Sequence, residues 1–473
     1  MMKLLATLAF VAPLAGCASY QGLSPRSEMD RADALAAERS LADAKLTPAS
    51  WPRADWWKGF ADPQLDALID EALAGTPTGR SARARLDRAV ALAQSSGAGL
   101  GPQVSASADS TRQRFSANGV FPPPIAGATF TQTQLALNFS YDIDLFGRNR
   151  AFYDAALGEA RAAEVDLFAA RLLVSSGVAH AYLQLGRAFD QLELTQMTLD
   201  QRAAIQDLTR QRVAAGLDSR VELKQVEISI PAARQRIVQL QEQIALLRNQ
   251  LAALLGKGPD RGLAIERPRA QAWRVALPST LPADLLGRRP DVVAQRWRVE
   301  AARRGIDAAK AQFYPDINLA ALVGVQSITL SKLLSSGSAI PSFGAAVQLP
   351  IFDAGRLRGN LAARDADYDL AVEQYNATLI DAVREVVDQV AASRSIEAQR
   401  NEVDAALGSA QDAYDLVVAR YRGGLGSYLQ VLTVESQLLE QKSLRIDLHA
   451  RELEQSINLA RALGGGFEER AAQ

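Results

Sequence analysis

Cysteine is almost absent from this 473-residue chain: Cys17 stands alone, so no internal disulfide can form. Histidine is nearly as scarce. His180 and His449 are isolated, and no Cys/His set has the spacing of a zinc site. No Gly-Lys-Ser/Thr loop is present to cradle a phosphate. No nucleophile has a base at a recognisable spacing. Catalysis, a metal and a cofactor are therefore not expected. Neither sign of charge is in excess, with a net charge of −1; nothing asks for nucleic acid, and nothing suggests an acidic disordered tail. Aromatic residues make up only 6%, few for a chain of packed globular cores. Ala, Leu, Gln, Arg and Glu take their place, the composition of long helices. Proline is missing from Arg148 to Ala214, from Arg356 to Arg422, and everywhere after Pro350.

The solitary cysteine has a context. Lys3 is followed by a mostly apolar run, Leu4 to Leu14, and then by Ala15 and Gly16. The run is too short to span a bilayer and reads as a cleaved secretory signal over residues 1–16. Leu14-Ala-Gly-Cys17 resembles the bacterial lipoprotein signal, which implies that Cys17 becomes a lipidated first residue. Ala18, rather than Asp, implies sorting to the outer membrane.

The rest of the chain is one unit written twice. Arg212 to Glu227 and Arg420 to Glu435 each break a helical pattern with a glycine turn and restart it. Gly216 and Gly424, Ser219 and Ser427, Gly147 and Gly355, and Gly256 and Gly464 all lie 208 residues apart. A fixed offset over so long a stretch marks a repeat. The first copy runs over 63–256 and the second over 281–464, with linkers at 17–62 and 257–280 and a tail at 465–473. Trp51, Trp56 and Trp57 in the first linker form either a packing patch, which is the expectation, or an interfacial belt. Each copy opens with a helix, at 63–97 (broken near Gly75 by Pro77) and at 281–312. The proline-free stretches predict two helices of 67 residues, each about 100 Å long at 1.5 Å per residue. Return helices follow at Ser219–Leu255 and Ser427–Leu463.

Between the helices lie alternating segments. Leu135, Leu137, Phe139 and Tyr141 alternate with Ala136, Asn138, Ser140 and Asp142. Ile317 to Val325, Phe343 to Leu349 and, more weakly, Val104 to Ala108 do the same. A period of two puts apolar residues on one face and polar ones on the other. The expectation is one hairpin per copy, at about 102–142 and 316–350, with strands of about 9–11 residues, long enough to cross a bilayer when tilted. A soluble sheet with one wet face gives the same pattern. Four strands cannot close a membrane barrel, and an open edge is not tolerated in lipid. Spanning strands therefore demand several chains, and three give twelve strands around a channel. The glycine turns, Gly216 and Gly423-Gly424, then mark the far end of an all-helical tube.

Phe313-Tyr-Pro-Asp-Ile317, Leu349-Pro-Ile-Phe-Asp-Ala-Gly-Arg356 and Tyr421-Arg-Gly-Gly-Leu-Gly-Ser-Tyr-Leu-Gln-Val-Leu432, with the lipoprotein signal and the repeat, resemble the TolC-like outer-membrane efflux channels. Within them the resemblance is to the lipoprotein channels of RND-type pumps, the OprM/NodT group. It covers nearly the whole mature chain. It implies an α+β membrane protein: a homotrimer with a twelve-stranded transmembrane barrel continued by a long α-helical periplasmic barrel. It also implies a periplasmic adaptor at the tip, an inner-membrane RND pump beyond it, and contact with outer-membrane lipid. The function implied is a passive exit duct.

Many relatives carry an acidic residue just past the tip. Gln430 and Thr433 occupy the matching positions here, which implies that the carboxylate ring on this helix is missing or shifted; Glu435 is the next acid along. Asp218 and Glu222 are the acidic alternatives on the first copy, or else a helix cap and a solvated glutamate. Tyr421 matches a tip tyrosine of relatives and either ties neighbouring hairpins together or simply packs. Two rival readings are a duct for type I protein secretion and a lipid-anchored coiled-coil scaffold without a pore.

Overall fold

The computed structural model describes residues 19–31, 35, 37–41, 46–47, 51–273, 275, 277–278 and 285–469. Cys17 and the signal lie outside the described residues. Those described fall into two compact units.

The first unit holds residues up to 29, 86–163 and 295–375. Its centre is a four-stranded antiparallel sheet: β1 (Gln103–Arg114), β2 (Thr129–Asp142), β3 (Asp316–Ser327) and β4 (Ser342–Gln348), in that spatial order. The strands have 12, 14, 12 and 7 residues, a wider range than the alternation alone predicts. The difference arises because β1 and β2 continue pairing through polar residues up to Arg114 and Thr129, where alternation no longer signals a strand.

The register decides which face each side chain shares. Val104 pairs with Phe139, Leu137 with Val323, Phe139 with Ala321, and Ala321 with Phe343. Every apolar set therefore falls on one face. Gln103, Ser105 and Ser107 fall on the other, with Ser140, Asn138, Ala136 and Asn318. The apolar face is bare: Val104 is 68% exposed, Val323 65% and Phe343 81%. Strands β1 and β4 are edges.

At the strand ends, Arg148 bridges Asp142 of β2 (2.6 Å) and Asp316 of β3 (2.9 Å). The segment after residue 18 is strapped nearby. The Tyr20 ring meets Phe313 edge-on at 5.5 Å and its hydroxyl lies 3.1 Å from that of Tyr314. The backbone N–H groups of Arg26 and Ser27 donate to Asp369 at 2.8 and 2.9 Å.

The second unit holds 30–85, 164–294 and 376 onward. Helix α1 (Pro63–Gly75) is capped by Asp62, which accepts from Gln64 N–H. A break at Thr76 separates it from α2 (Pro77–Gly97), since proline at the first helical position suits a new start. The long helices are α3 (Arg148–Ala214) and α6 (Arg356–Arg422), 67 residues each; both run from the first unit into the second. Their returns are α4 (Arg220–Leu254) and α7 (Tyr428–Ala462), 35 residues each. Helix α5 (Pro290–Ala311) opens the second copy. Pro231 lies inside α4 on its exposed side, where water can satisfy the carbonyl it frees.

Trp56 and Trp57 pack rather than face a membrane. Trp56 stacks on Trp273 at 6.4 Å and meets Trp57 edge-on, in a core with Leu65, Val178, Tyr182 and Leu251. Trp51 lies beneath the Arg288 guanidinium. Tyr182 donates to Asp62 at 2.8 Å while Arg269 N–H donates to the same carboxylate. That bond pins the inter-repeat linker to α1 and α3.

The end of α7 is turned by Gly464, with φ +86°, and a Cβ there would collide with the Arg288 carbonyl. Gly256, its counterpart in the first copy, has φ +70° and looser surroundings. Gly464→Ala is expected to cost roughly 3 kcal/mol from strain and collision together, and Gly256→Ala less. Thermal melts of the two purified variants check the order.

Candidate functional site at the two glycine turns

Each long helix ends in the same device. Leu217 N–H donates to Arg212 O at 2.9 Å and Gly216 N–H to Val213 O at 3.1 Å. Leu425 N–H donates to Arg420 O at 2.8 Å and Gly424 N–H to Tyr421 O at 3.1 Å. These are paired Schellman bonds, and they need a left-handed residue after the helix. Gly216 (φ +71°) and Gly424 (φ +79°) supply it. Gly423 ends α6 just ahead of it, its N–H donating to Ala419 O.

The side chains then break the repeat's symmetry. The Arg212 guanidinium binds Asp218 through two bonds, Nε to Oδ2 at 2.8 Å and Nη2 to Oδ1 at 3.0 Å. Its Nη1 donates to the Tyr421 carbonyl at 2.9 Å, and the cation sits 4.6 Å from the Tyr421 ring centroid. The Tyr421 hydroxyl donates to Asp218 at 2.7 Å and lies 2.8 Å from Thr209 Oγ1. Thr209 Oγ1 is also 2.9 Å from Ile205 O, so its single proton serves either that carbonyl or the Tyr421 oxygen. Both ion-pair side chains are under 10% exposed. One lock thus joins the first copy's turn to the second copy's long helix. No such lock exists at the matching positions 208 residues on, or back: they are Val417 for Thr209, Arg420 for Arg212, Gly426 for Asp218 and Val213 for Tyr421.

Asp218 is therefore not a helix cap. Ser219 is, accepting from Val221 N–H while Glu222 accepts from Ser219 N–H. The sequence offered Asp218 to the cap because it precedes α4; the buried Arg212 claims the carboxylate instead. Tyr421 packs as well as bonds, lying 6.3 Å from the Tyr428 ring. Gln430 and Thr433 are exposed and take no part in the lock; the Thr433 hydroxyl is spent on Leu429 O. Glu435 is 2% exposed and pairs with Arg202 at 3.2 Å, which rules out a solvated role. Arg202 also donates to Ser229 O. Arg212, Thr209 and Arg202 escaped the sequence reading.

The two acids titrate in opposite senses. Arg212 holds the Asp218 carboxyl below its usual range, and burial raises Glu435 against the pull of Arg202. Burial pushes the Tyr421 hydroxyl up to about 12, so it stays a donor. Stability from Asp218 is present above an unfolded pKa of about 4 and is lost as pH falls through its lower folded value. Stability from Glu435 is present below about 4 and is lost as pH rises through its raised folded value. Glu435→Gln is expected to flatten the pH dependence of local opening on the alkaline side of pH 4. Asp218→Asn should flatten it on the acid side. Amide exchange of Ile205–Thr209 and Val431–Leu438 measures both.

The turns end in apolar residues facing outward: Leu217 is 65% exposed and Leu425 74%, with Val221 and Leu429 beside them. Among the described residues no helix is long and apolar enough to cross a membrane.

The family model described as outer membrane efflux protein matches residues 68–257 and again 281–465. The chain is similar to the fusaric acid resistance protein FusA of Burkholderia cepacia, 41% identical over 366 residues, which are 76% of this chain and 69% of that protein. It is 32% identical over 434 residues to the multidrug resistance outer membrane protein MdtP of Escherichia coli (strain K12), covering 90% and 89%. Among solved structures, the outer membrane protein VceC of Vibrio cholerae superposes with a TM-score of 0.84 at 37% identity, over 88% of this chain and 100% of that one. The MtrE outer membrane channel of Neisseria gonorrhoeae, in its open state, superposes with a TM-score of 0.81 at 25% identity, over 94% and 98%.

Proposed function

The chain belongs to the outer membrane efflux protein family, and from that premise we propose that three copies close a single exit duct. The protein is an outer-membrane efflux channel, passive in itself, that extends into the periplasm. The observation that carries the trimer is the sheet. Four strands present one continuous apolar face to the outside and leave β1 and β4 unpaired at the edges. Lipid accepts the bare face but not the edges. Twelve strands from three chains remove both edges and leave a polar lumen.

The long helices of the three copies line a helical barrel that carries the duct into the periplasm. The turns at Gly216 and Gly423-Gly424 form its tip. Leu217 and Leu425 are the contact offered to a periplasmic adaptor, which links the duct to an inner-membrane RND pump. The Asp218–Tyr421 lock, rather than Gln430 or Thr433, is the gate. Cys17 carries the lipid. FusA and MdtP are named for resistance to fusaric acid and to multiple drugs. Small organic molecules are the cargo that fits those names, and the pump selects among them.

The test is the mass of the protein in detergent, followed by single-channel recording in a planar bilayer. A trimer with discrete openings is expected. A monomer, or a trimer that stays silent even when Asp218→Ala releases the tip, overturns the reading.

A further inference from the structure

The polar face of the sheet is lined mostly by small and polar side chains, with Leu322 opposite Asn138 as a single aliphatic and an aromatic group at the hairpin-turn end. There Phe130 continues the row of Gln132 and Gln134, and Phe115 follows Gln113, its register partner being Ala128. Both rings fall on the polar face. Their centroids are 6.2 Å apart, and Phe121 from the β1–β2 loop closes on Phe115 at 5.1 Å with the rings 80° apart. Phe121 remains 47% exposed. Edge-to-face stacking of this kind holds rings in fixed orientation. Three phenylalanines thus stand together where the alternation calls for polar groups. Packing alone does not require this, because the outermost ring is left half open to solvent.

We propose that Phe115, Phe121 and Phe130 form a contact site for planar aromatic solutes at the exit end of the duct. The inference rests on the duct reading, which makes the polar face the lumen and the hairpin-turn end the exit. Three chains bring nine rings to one mouth. A solute with an aromatic face stacks on the exposed Phe121 ring, and an anionic aliphatic solute of equal bulk gains only area burial. The site therefore slows aromatic molecules at the last step of export and narrows the mouth for ions.

The experiment uses the full-length trimer carrying Asp218→Ala to hold the tip open, recorded in a planar bilayer. 2-Naphthoate, a planar aromatic anion, is added on the loop side, with decahydro-2-naphthoate as an anion of similar bulk and no aromatic face. Phe121→Leu is expected to raise the blocking concentration of 2-naphthoate about three- to tenfold and to leave that of decahydro-2-naphthoate unchanged. Phe121→Tyr, which keeps the ring, should restore the block. If channels open but Phe121→Leu blocks like the parent, or if both probes weaken together, the aromatic site is wrong and the duct stands. If no channel opens in the Asp218→Ala trimer, the duct reading falls and the site with it.

Discussion

Asp218→Ala will raise the open probability of the reconstituted channel by at least an order of magnitude. The change removes both bonds from Arg212 and the one from Tyr421. It also strands a guanidinium that is 8% exposed. Breaking one side of a buried ion pair costs roughly 3–5 kcal/mol, and every 1.4 kcal/mol is about a tenfold shift in an equilibrium. The closed arrangement bears that loss if the lock holds it. Tyr421→Phe keeps the ring over Arg212 and against Tyr428 and loses only the hydroxyl's bonds to Asp218 and Thr209. Its effect should be smaller, about 1.5–3 kcal/mol for a bond to a charged acceptor. Asp218 and Tyr421 share one network, so the double variant should fall short of the sum of the two. Gln430→Ala and Thr433→Ala should leave conductance as it is. Recordings that rank Gln430 or Thr433 above Asp218 would place the gate on α7 and make the lock a packing feature.

Elements governed by local rules were legible in the sequence. The missing prolines marked the bodies of α3 and α6, because a 67-residue stretch without a proline has little alternative to a helix, and the glycine turns marked where they end. Glycines 208 residues apart marked both turns, because a Schellman ending needs a left-handed residue. Alternation located the strands, but it understated β1 and β2, whose outer ends pair through polar residues. The site was legible only in part. Asp218 and Tyr421 were named, yet their bond spans 203 residues, and no local rule reaches so far. Arg212 was passed over because an arginine in the last turn of a helix is ordinary. The repeat itself held the missing signal. Where two copies share a turn, positions at which only one carries Arg and Asp, and only the other Tyr, are positions that do more than fold. Glu435 shows the opposite failure. It matches Glu227 in the repeat and in sequence is only the next acid past the tip, whereas Arg202, matched by Ala410, draws it inward.

The sheet's bare face yields the second large effect. Val323 lies on the central strand β3, 65% exposed and paired with Leu137, itself 57% exposed. On the wet face of a soluble sheet, Val323→Arg would be nearly neutral, since surface substitutions usually stay within about 0.5 kcal/mol. On a lipid-facing wall the same arginine costs roughly 2–4 kcal/mol near the bilayer midplane. The proposed trimer would carry three copies, so the total approaches the whole stability of an ordinary domain, about 5–15 kcal/mol. Val323→Arg should therefore remove the protein from the outer-membrane fraction, or leave it there unassembled. Asn138→Arg is the control. Asn138 sits on the polar face opposite Leu322 and bonds Ser107 at 3.1 Å. An arginine there points into water, so assembly should persist while the preference for cations over anions falls. The band has the height such a wall needs. From Ile317 to Val325 is eight residue steps, about 27 Å along the strand and about 20 Å after a 40° tilt. That approaches the apolar belt of about 25 Å found on outer-membrane barrels. If Val323→Arg assembles normally and Asn138→Arg does not, the faces are reversed and the strands do not meet lipid. Membrane fractionation of the two variants, run beside the parent, reads out that choice directly.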